Sequence, residues 1–411
     1  MRNVYDTLAE RGFVYQVTDE AGLREALERP ITAYCGYDVT STSLQVGNLV
    51  TVMMLAHLQR AGHRPIALVG GGTTLVGDPS GKTQSRPILS KEEVKANEAC
   101  IKAQLARFLD FSEGHALMLD NADWLTQLNY IDFLREIGRH FSVNEMLAAE
   151  TYRQRLETGL SFLEFNYRLL QAYDFLYQYR QYNCILQVGG SDQWGNITAG
   201  VDLIRRADGG KAYGLVAPLI TTASGAKMGK TEQGAVYLAP ERTSPYDFYQ
   251  FWINTEDADV ERFLAIFTFL PMEEVRELGS LPGAEIRRAK EILAYEVTRL
   301  VHGEAAAEEA RSASRALFGP GKPTGAAAEA IPTTVIPRAR LKAGIPVVEL
   351  FTEAGLTRSR SDARRLVEQG GAYINERRVD DIGVVITPEW LEDSTLLLRS
   401  GKKTYRRIVV E

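Results

Sequence analysis

The chain has 411 residues, 45% of them hydrophobic, which predicts two or three globular domains with a sizeable core. No apolar run reaches membrane-spanning length and "MRNVYDTLAERGFVYQ" lacks a signal-peptide core, so a cytoplasmic protein without membrane contact is expected. The net charge of −6 argues against general polyanion binding, and Cys35, Cys100 and Cys184, odd in number and far apart, imply a reducing compartment and no disulfide frame.

Residues 31–39 read as a buried strand, 47–61 as a helix with Leu49, Val52, Met53 and Ala56 on one face, and 65–71 as a second strand. A helical pattern follows at about 90–109, then strands at 115–119, 184–190 and 214–220, with a helix from about Gln193 to Arg206 before the last. Strands alternating with helices predict a Rossmann-like, doubly wound parallel sheet over residues 1–222, an α/β domain that binds ligands at the carboxyl ends of its strands. The polar clusters at 34–38, 73–78 and 189–193 all fall at such ends. Residues 244–318 read as helical, giving a second domain over 223–320. A Gly-, Pro- and Ala-rich stretch makes 321–344 a linker. Residues 345–411 form a third, small α+β unit, with Ser359 or Ser361 capping a helix and "YINERRV" as strand, turn, strand. From Arg338 onward there are 14 Lys and Arg against 11 Asp and Glu, so this tail is +3 on a body of −9. A basic tail on an acidic body fits a specific RNA contact, although a solvated surface accounts for so small a bias as well.

Residues 70–86, "GGGTTLVGDPSGKTQSR", look like a phosphate cradle. A Walker A loop needs glycine, four residues, then Gly-Lys-Ser/Thr. Counting back from Gly81-Lys82-Thr83 reaches Val76; Gly77 is one residue late, and Pro79 removes a backbone N–H from the loop. The P-loop reading fails, and Asp78, Lys82 and Arg86 need another purpose. In "DVTSTSLQVGNLVTVMML" a strand ends at Asp38 and a helix starts near Gly47, so first-turn N–H groups favour an anion there; the same Ser, Thr and Asn also serve as ordinary helix caps. In "SGAKMGKTEQG" (224–234), Lys227 and Lys230 sit among glycines and could close over a polyphosphate, while a solvated basic turn is the plain alternative.

Together these segments resemble the class I aminoacyl-tRNA synthetases, whose "HIGH" and "KMSKS" signatures correspond to "QVGN" (45–48) and "KMGKT" (227–231). "GGSDQWGNITAGVDLIRR", the 70–86 loop and "NYRLLQAYDF" (166–175) are more specific and look like the bacterial tyrosyl-tRNA synthetases. The resemblance runs from about 30 to 300 and again over the last 65 residues, which look like the S-four type of RNA-binding unit. It implies activation of L-tyrosine by ATP and transfer of the tyrosyl group to the 3'-terminal ribose of tRNA(Tyr); Mg²⁺ is expected with the nucleotide on chemical grounds. It also implies a homodimer; the five histidines show no ligand spacing, so no protein-bound structural metal is expected.

Carried over residue by residue, the resemblance implies that Asp78 receives the tyrosine ammonium with Tyr167 and Gln171, supported by Thr73. Tyr34 and Asp174 bracket the phenol hydroxyl, and Gln193 lies near the substrate carboxylate. Cys35, Asn48, Thr51 and Asp192 line the ATP ribose, with Gly36, Gly47 and Gly190 allowing close approach and Asp38 beside the adenylate. Thr40 and Gln45 face the γ-phosphate. Lys82, Arg86, Lys227, Lys230 and Thr231 serve the pyrophosphate. Arg205 and Arg206, and in the tail Arg358, Arg360, Arg364 and Arg365, meet tRNA. The chemistry suits these residue types on its own. The tyrosine carboxylate is already an ionised nucleophile, so the protein must supply orientation and positive charge rather than a base. Two departures stand out: "QVGN" lacks both histidines, and Gly229 replaces a serine, which is expected to raise loop mobility. Two rival readings remain at this level, an RNA-binding protein of this fold that has lost catalysis and a tryptophanyl-type synthetase, though the latter has no need of an acid facing a phenol.

Overall fold

The computed structural model describes residues 3–80, 89–148, 152–153, 156–157, 159–231, 234–318, 326–401 and 404–411, and of Lys230, Thr231, Phe318, Ala326 and Ala327 the backbone alone. Contacts divide the chain into two compact units: residues 1–230, 235–242 and 255–293, and residues 231–234, 243–254 and 294–411.

The first unit is built on six strands: β1 (Gln16–Val17), β2 (Thr32–Asp38), β3 (Arg64–Gly70), β4 (Leu117–Asp120), β5 (Cys184–Gly190) and β6 (Tyr213–Ala217), in the order β1-β6-β5-β2-β3-β4. From β6 to β4 every pair is parallel, and antiparallel β1 closes one edge by pairing Gln16 with Val216. The chain runs outward from β2 to β4 and returns to lay β5 on the other side of β2. The order therefore reverses between β2 and β5, which opens a crevice beyond their carboxyl ends.

Three helices position that crevice. Helix α1 (Leu49–Arg60) was expected to bury one face; Leu49 to Leu58 are instead buried on nearly every side, Thr51 excepted, which explains why the segment is apolar all round. Helix α2 (Phe162–Tyr182) starts in a capping box: Glu164 N–H donates to Ser161 Oγ (3.2 Å) and the Glu164 carboxylate accepts from Ser161 N–H (3.1 Å). Helix α3 (Trp194–Asp208) follows β5 after one 3-10 turn. Tyr34, Ile66, Leu68, Phe175, Leu176 and Leu203 pack into one core beneath.

The segment 223–320, read from its sequence as one helical domain, is shared between the two units. In the first unit, Asp259 ties residues 255–262 to the foot of the 223–231 loop: its carboxylate accepts Ala223 N–H at 2.7 Å and a guanidinium N–H of Arg262 at 2.5 Å. In the second, α4 (Pro245–Ile253) is joined to α6 (Glu304–Phe318) by a Gln250–Ser314 hydrogen bond of 2.9 Å; the division itself falls within α5 (Ile286–His302).

The second unit carries a five-stranded sheet of β7 (Thr333–Ile336), β8 (Ala372–Ile374), β9 (Arg377–Val379), β10 (Thr395–Ser400) and β11 (Thr404–Val410), ordered β9-β8-β10-β11-β7. Helices α7 (Val347–Glu353) and α8 (Arg360–Glu368) contribute Leu350, Phe351 and Val367 to a core with Leu398 and Ile408. The expected linker is thus structured from residue 326: β7 pairs in parallel with β11, Thr333 opposite Arg407. Composition hides this, because the partner of 333–336 lies some seventy residues away. Of the two capping candidates, Ser359 caps α8, accepting Asp362 N–H at 3.2 Å. The turn expected in "YINERRV" is present, with Asn375 (φ +49°) and Glu376 (φ +63°) both left-handed.

Candidate active site

Strand alternation splits the residues expected around β2 into two faces. Tyr34, Gly36 and Asp38 share one. Cys35 lies on the other, buried, with its thiol beside Tyr37 and Thr51; burial pushes that thiol up to about 11. Gly36 is exposed although it sits mid-strand in the sheet, and a Cβ placed there would meet nothing within 4 Å. A central parallel strand is normally covered on both faces, so this open patch is a candidate floor for a ligand.

At the carboxyl ends of β2, β3 and β4 the polar side chains are linked. Thr73 Oγ1 donates to Asp38 Oδ1 (3.2 Å) and accepts from Asn121 Nδ2 (3.0 Å). The same Asn121 amide donates to Asp174 Oδ2 (2.8 Å), while its Oδ1 accepts the N–H groups of Gly72 (2.8 Å) and Thr73 (3.3 Å). Trp124 Nε1–H donates to Asp174 Oδ1 at 2.7 Å. Asp174 is fully buried; burial raises its carboxyl to about 7, against the opposing pull of Asn121 and Trp124. On the same face of α2, Tyr167 hydroxyl donates to Asp38 Oδ1 (3.4 Å) and Gln171 is half-buried; the i, i+4, i+7 spacing aligns Tyr167, Gln171 and Asp174. Tyr34 packs its ring on Phe175, with centroids 5.2 Å apart. Its buried hydroxyl has no hydrogen-bond partner among the described residues, and burial and then the Asp174 charge push it well above the ordinary phenol value. A buried acceptor pair beside an unsatisfied buried hydroxyl is a place for a ligand group that both donates and accepts.

Asp78 is reached from β5. Gln193 Nε2 donates to Asp78 Oδ2 (2.8 Å) and Asp192 Oδ2 (3.2 Å), and Asp78 Oδ1 accepts Ser80 N–H (2.9 Å). Asp192 is exposed and Gly190 half-buried at the rim.

The two signature loops meet one another. Val46 N–H donates to Val236 O (3.0 Å), Leu238 N–H to Leu44 O (2.9 Å), and Val236 N–H to Gly229 O (2.8 Å), so the backbone of 236–238 joins "QVGN" to "KMGKT". Gly229 has φ +81°, and a Cβ there would stand 3.3 Å from that of Val46. At 229, glycine supplies a left-handed turn and close approach to Val46. Asn48 Oδ1 accepts Gln45 N–H at 2.9 Å, which leaves its amide hydrogens for solvent or ligand; Asn48, Gly47, Thr40 and Lys227 are exposed, and Gln45 is half-buried. Thr51 caps back onto Asn48 O (3.0 Å). Lys82 and Arg86 lie outside the described residues, and of Lys230 and Thr231 only the backbone is described.

The expected RNA contacts are exposed. Arg205 pairs with Asp202 (3.0 Å), and Arg206 donates to His140 O (2.6 Å). In the tail, Arg360 pairs with Glu349 (3.0 Å) and Arg365 with Asp362, whereas no ion pair holds Arg358 or Arg364 among the described residues.

Sequence reasoning missed Asn121 and Trp124, which hold Asp174, and Ser80 and Asn196 beside Asp78. A signal existed in "LDNADW": a polar cluster at the end of β4, the same kind of position that flagged the other three loops.

A doubly wound sheet with joined helix-start and lysine loops at its switch point has the architecture of a class I synthetase catalytic domain. Residues 25–319 match the family model described as tRNA synthetases class I (W and Y), and residues 326–408 match the tyrosine–tRNA ligase SYY-like C-terminal domain. The chain is 55% identical to a tyrosine–tRNA ligase of Desulfatibacillum aliphaticivorans, over 99% of each chain, and 54% identical to one of Syntrophus aciditrophicus (strain SB), over 100% of each. Among solved structures, a C-terminally truncated Aspergillus nidulans mitochondrial tyrosyl-tRNA synthetase is similar at 30% identity and a TM-score of 0.70, over 77% of this chain and 95% of that one. The chain belongs to the tyrosine–tRNA ligase family of the class I tRNA synthetases.

Proposed function

We infer that this chain is a tyrosine–tRNA ligase, an enzyme that activates L-tyrosine with ATP and passes the tyrosyl group from the adenylate to the 3'-terminal ribose of tRNA(Tyr). The observation that carries the specificity is the phenol end of the crevice: Asp174, fixed as an acceptor by Asn121 and Trp124, beside the Tyr34 hydroxyl, which has no partner among the described residues. A tyrosine hydroxyl donates to the first and accepts from the second. Asp78, with Tyr167 and Gln171, takes the ammonium group, and Gln193 lies toward the carboxylate. The adenosine stands over Gly36 and the exposed rim of Gly47, Asn48 and Asp192, with Asp38 beside the reacting centre.

The bound carboxylate attacks the α-phosphate, and pyrophosphate leaves. No general base is required, because the nucleophile is already ionised. Lys82, Arg86, Lys227 and Lys230 neutralise the charge that grows on the leaving group, with Thr40, Gln45 and Thr231 donating hydrogen bonds to it. Magnesium arrives with ATP, held by its phosphates; among the described residues no group of three His, Cys, Asp or Glu side chains is arranged for a metal. The tail and Arg205 with Arg206 hold tRNA. Arg358 and Arg364, which make no ion pair among the described residues, are better phosphate contacts than Arg360 and Arg365, whose charges are already partnered.

A homodimer is supported by exposed large apolar side chains between residues 130 and 163, among them Ile131 (68% exposed) and Phe162 (70%). A mass in solution corresponding to one chain counts against it. A cytoplasmic setting is supported by three free thiols, and no described helix is long and apolar enough to cross a membrane. Tyrosine-dependent ATP–pyrophosphate exchange, followed by charging of tRNA(Tyr), tests the function. Exchange without charging leaves only the first half-reaction, and neither activity leaves an RNA-binding protein that has lost catalysis. Replacing Arg358 and Arg364 together by Glu leaves exchange unchanged and weakens charging; equal charging removes the tail from the RNA contact.

A further inference from the structure

Four side chains beside the ammonium end of the site form a closed ring of hydrogen bonds. Asp78 Oδ1 accepts Ser80 N–H (2.9 Å), and Asp78 Oδ2 accepts from Gln193 Nε2 (2.8 Å). Gln193 Oε1 accepts from Asn196 Nδ2 (3.2 Å), and the second hydrogen of that amide goes to Ser80 Oγ (3.2 Å). Asp78, Ser80 and Asn196 are buried, at 5%, 4% and 5% exposure. The ring fastens the loop after β3 to the first turn of α3.

Its polarity is set by its one anion. An ionised Asp78 only accepts, so Gln193 must turn its NH₂ toward it. That leaves Gln193 Oε1 facing Asn196, which must present its own NH₂ in turn and so satisfies both Gln193 and Ser80. With the amide pinned in this sense, both Gln193 hydrogens point at carboxylates, Asp78 and Asp192.

We propose that Asn196 is a positioning residue for amino-acid binding: it touches no substrate, but anchors Gln193 through Oε1 and so holds the Gln193 amide on Asp78, which keeps the acceptor directions that Asp78 offers to the ammonium group. This rests on the functional reading above and adds to it a residue that acts through another. Without Asn196, Gln193 Oε1 loses its donor, so the side chain is held only at its NH₂ end and can swing away from Asp78, which spoils the ammonium site.

The test is steady-state ATP–pyrophosphate exchange with the full chain, reading the tyrosine KM separately from kcat. Asn196→Ala is expected to raise the tyrosine KM by about tenfold, the equivalent of one hydrogen bond in a charged network, while the ATP KM stays within about twofold. Isosteric Asn196→Asp, which fits the same space but turns an acceptor toward Gln193 Oε1, raises it at least as far. In a Gln193→Ala background the effect of Asn196→Ala on KM should vanish, because there is no amide left to orient. An unchanged tyrosine KM in Asn196→Asp, or an effect of Asn196→Ala that persists in full in that background, overturns the proposal and makes Asn196 a packing residue. Absence of exchange in the unmodified chain overturns the functional reading instead.

Discussion

The two ends of the crevice are built differently. At the proposed phenol end, Thr73, Asn121, Trp124 and Asp174 are joined by hydrogen bonds of 2.7–3.0 Å, and Asn121 and Asp174 are buried. At the phosphate end, Gly47, Asn48 and Lys227 are exposed, and order comes from backbone bonds between 229, 236 and 46. The first arrangement exists before substrate arrives and suits selection; the second leaves Lys227 exposed on a loop tied through its backbone and suits charge that appears only during reaction. Recognition that must reject a near-isostere needs buried polar groups whose hydrogen bonds the wrong ligand cannot complete. Leaving-group stabilisation needs cations that do little until the bond breaks.

The severest way to break this contrast is at Asp174. Asp174→Ala strands the Asn121 and Trp124 donors, at about 1–3 kcal/mol each, and removes the phenol acceptor. The expected fall in kcat/KM for tyrosine is about 10³-fold or more. If Asp174→Asn keeps activity and the tyrosine-to-phenylalanine ratio within about tenfold of the unmodified chain, the phenol end has been misassigned. The phosphate end should respond in the opposite sense. Ala at Lys82, Arg86, Lys227 or Lys230 slows single-turnover adenylate formation by about 10²-fold or more, with the tyrosine Kd within about twofold. A raised Kd with an unchanged rate would erase the distinction between the ends.

Protonation sharpens it. The Asp174 carboxyl sits at about 7, raised chiefly by burial. A raised carboxyl stabilises the empty protein below its ordinary pKa, and that contribution is lost as pH rises through about 7. Tyrosine binding runs the other way, since its hydroxyl needs the ionised acceptor. Affinity should therefore strengthen from pH 6 to pH 8, falling about tenfold per unit well below the midpoint. Asn121→Ala removes a donor that favours the ionised form and should move this midpoint upward; a profile flat in both proteins refutes the acceptor role. Removal of the corresponding donor by Trp124→Phe is a smaller change of the same sign.

How much of this was legible in the sequence follows from range. The five parallel strands of the main sheet fell within about two or three residues of their predicted limits, because apolar runs between glycines are local signals, whereas the two-residue edge strand Gln16–Val17 was not predicted. The three loops and "KMGKT" were visible because strand ends and glycines mark them. Trp124 and Asn121 were not, since their purpose depends on Asp174, some fifty residues on, being brought beneath β4. The strand Thr333–Ile336 was hidden for the same reason, its partner being the C-terminal strand. Gly229 was legible as a glycine but not as a left-handed turn against Val46, which only the packing of the two loops reveals.

The mildest test is also the most discriminating, because it separates selection from stability at a single atom. Tyr34 Oη is buried with no partner among the described residues, so in the empty protein it incurs a desolvation cost without return. Tyr34→Phe removes that hydroxyl while the ring keeps its packing on Phe175. The empty variant should therefore melt no lower than the unmodified chain, and about 1–3 °C higher if the cost is about 1 kcal/mol. Bound tyrosine, by contrast, loses one hydrogen bond that phenylalanine never made. The ratio of kcat/KM for tyrosine over phenylalanine should drop by about three- to tenfold, almost all of it through tyrosine. A lowered Tm with the ratio unchanged would show that Tyr34 is a core residue whose hydroxyl serves the fold, and would leave Asp174 as the sole reader of the phenol.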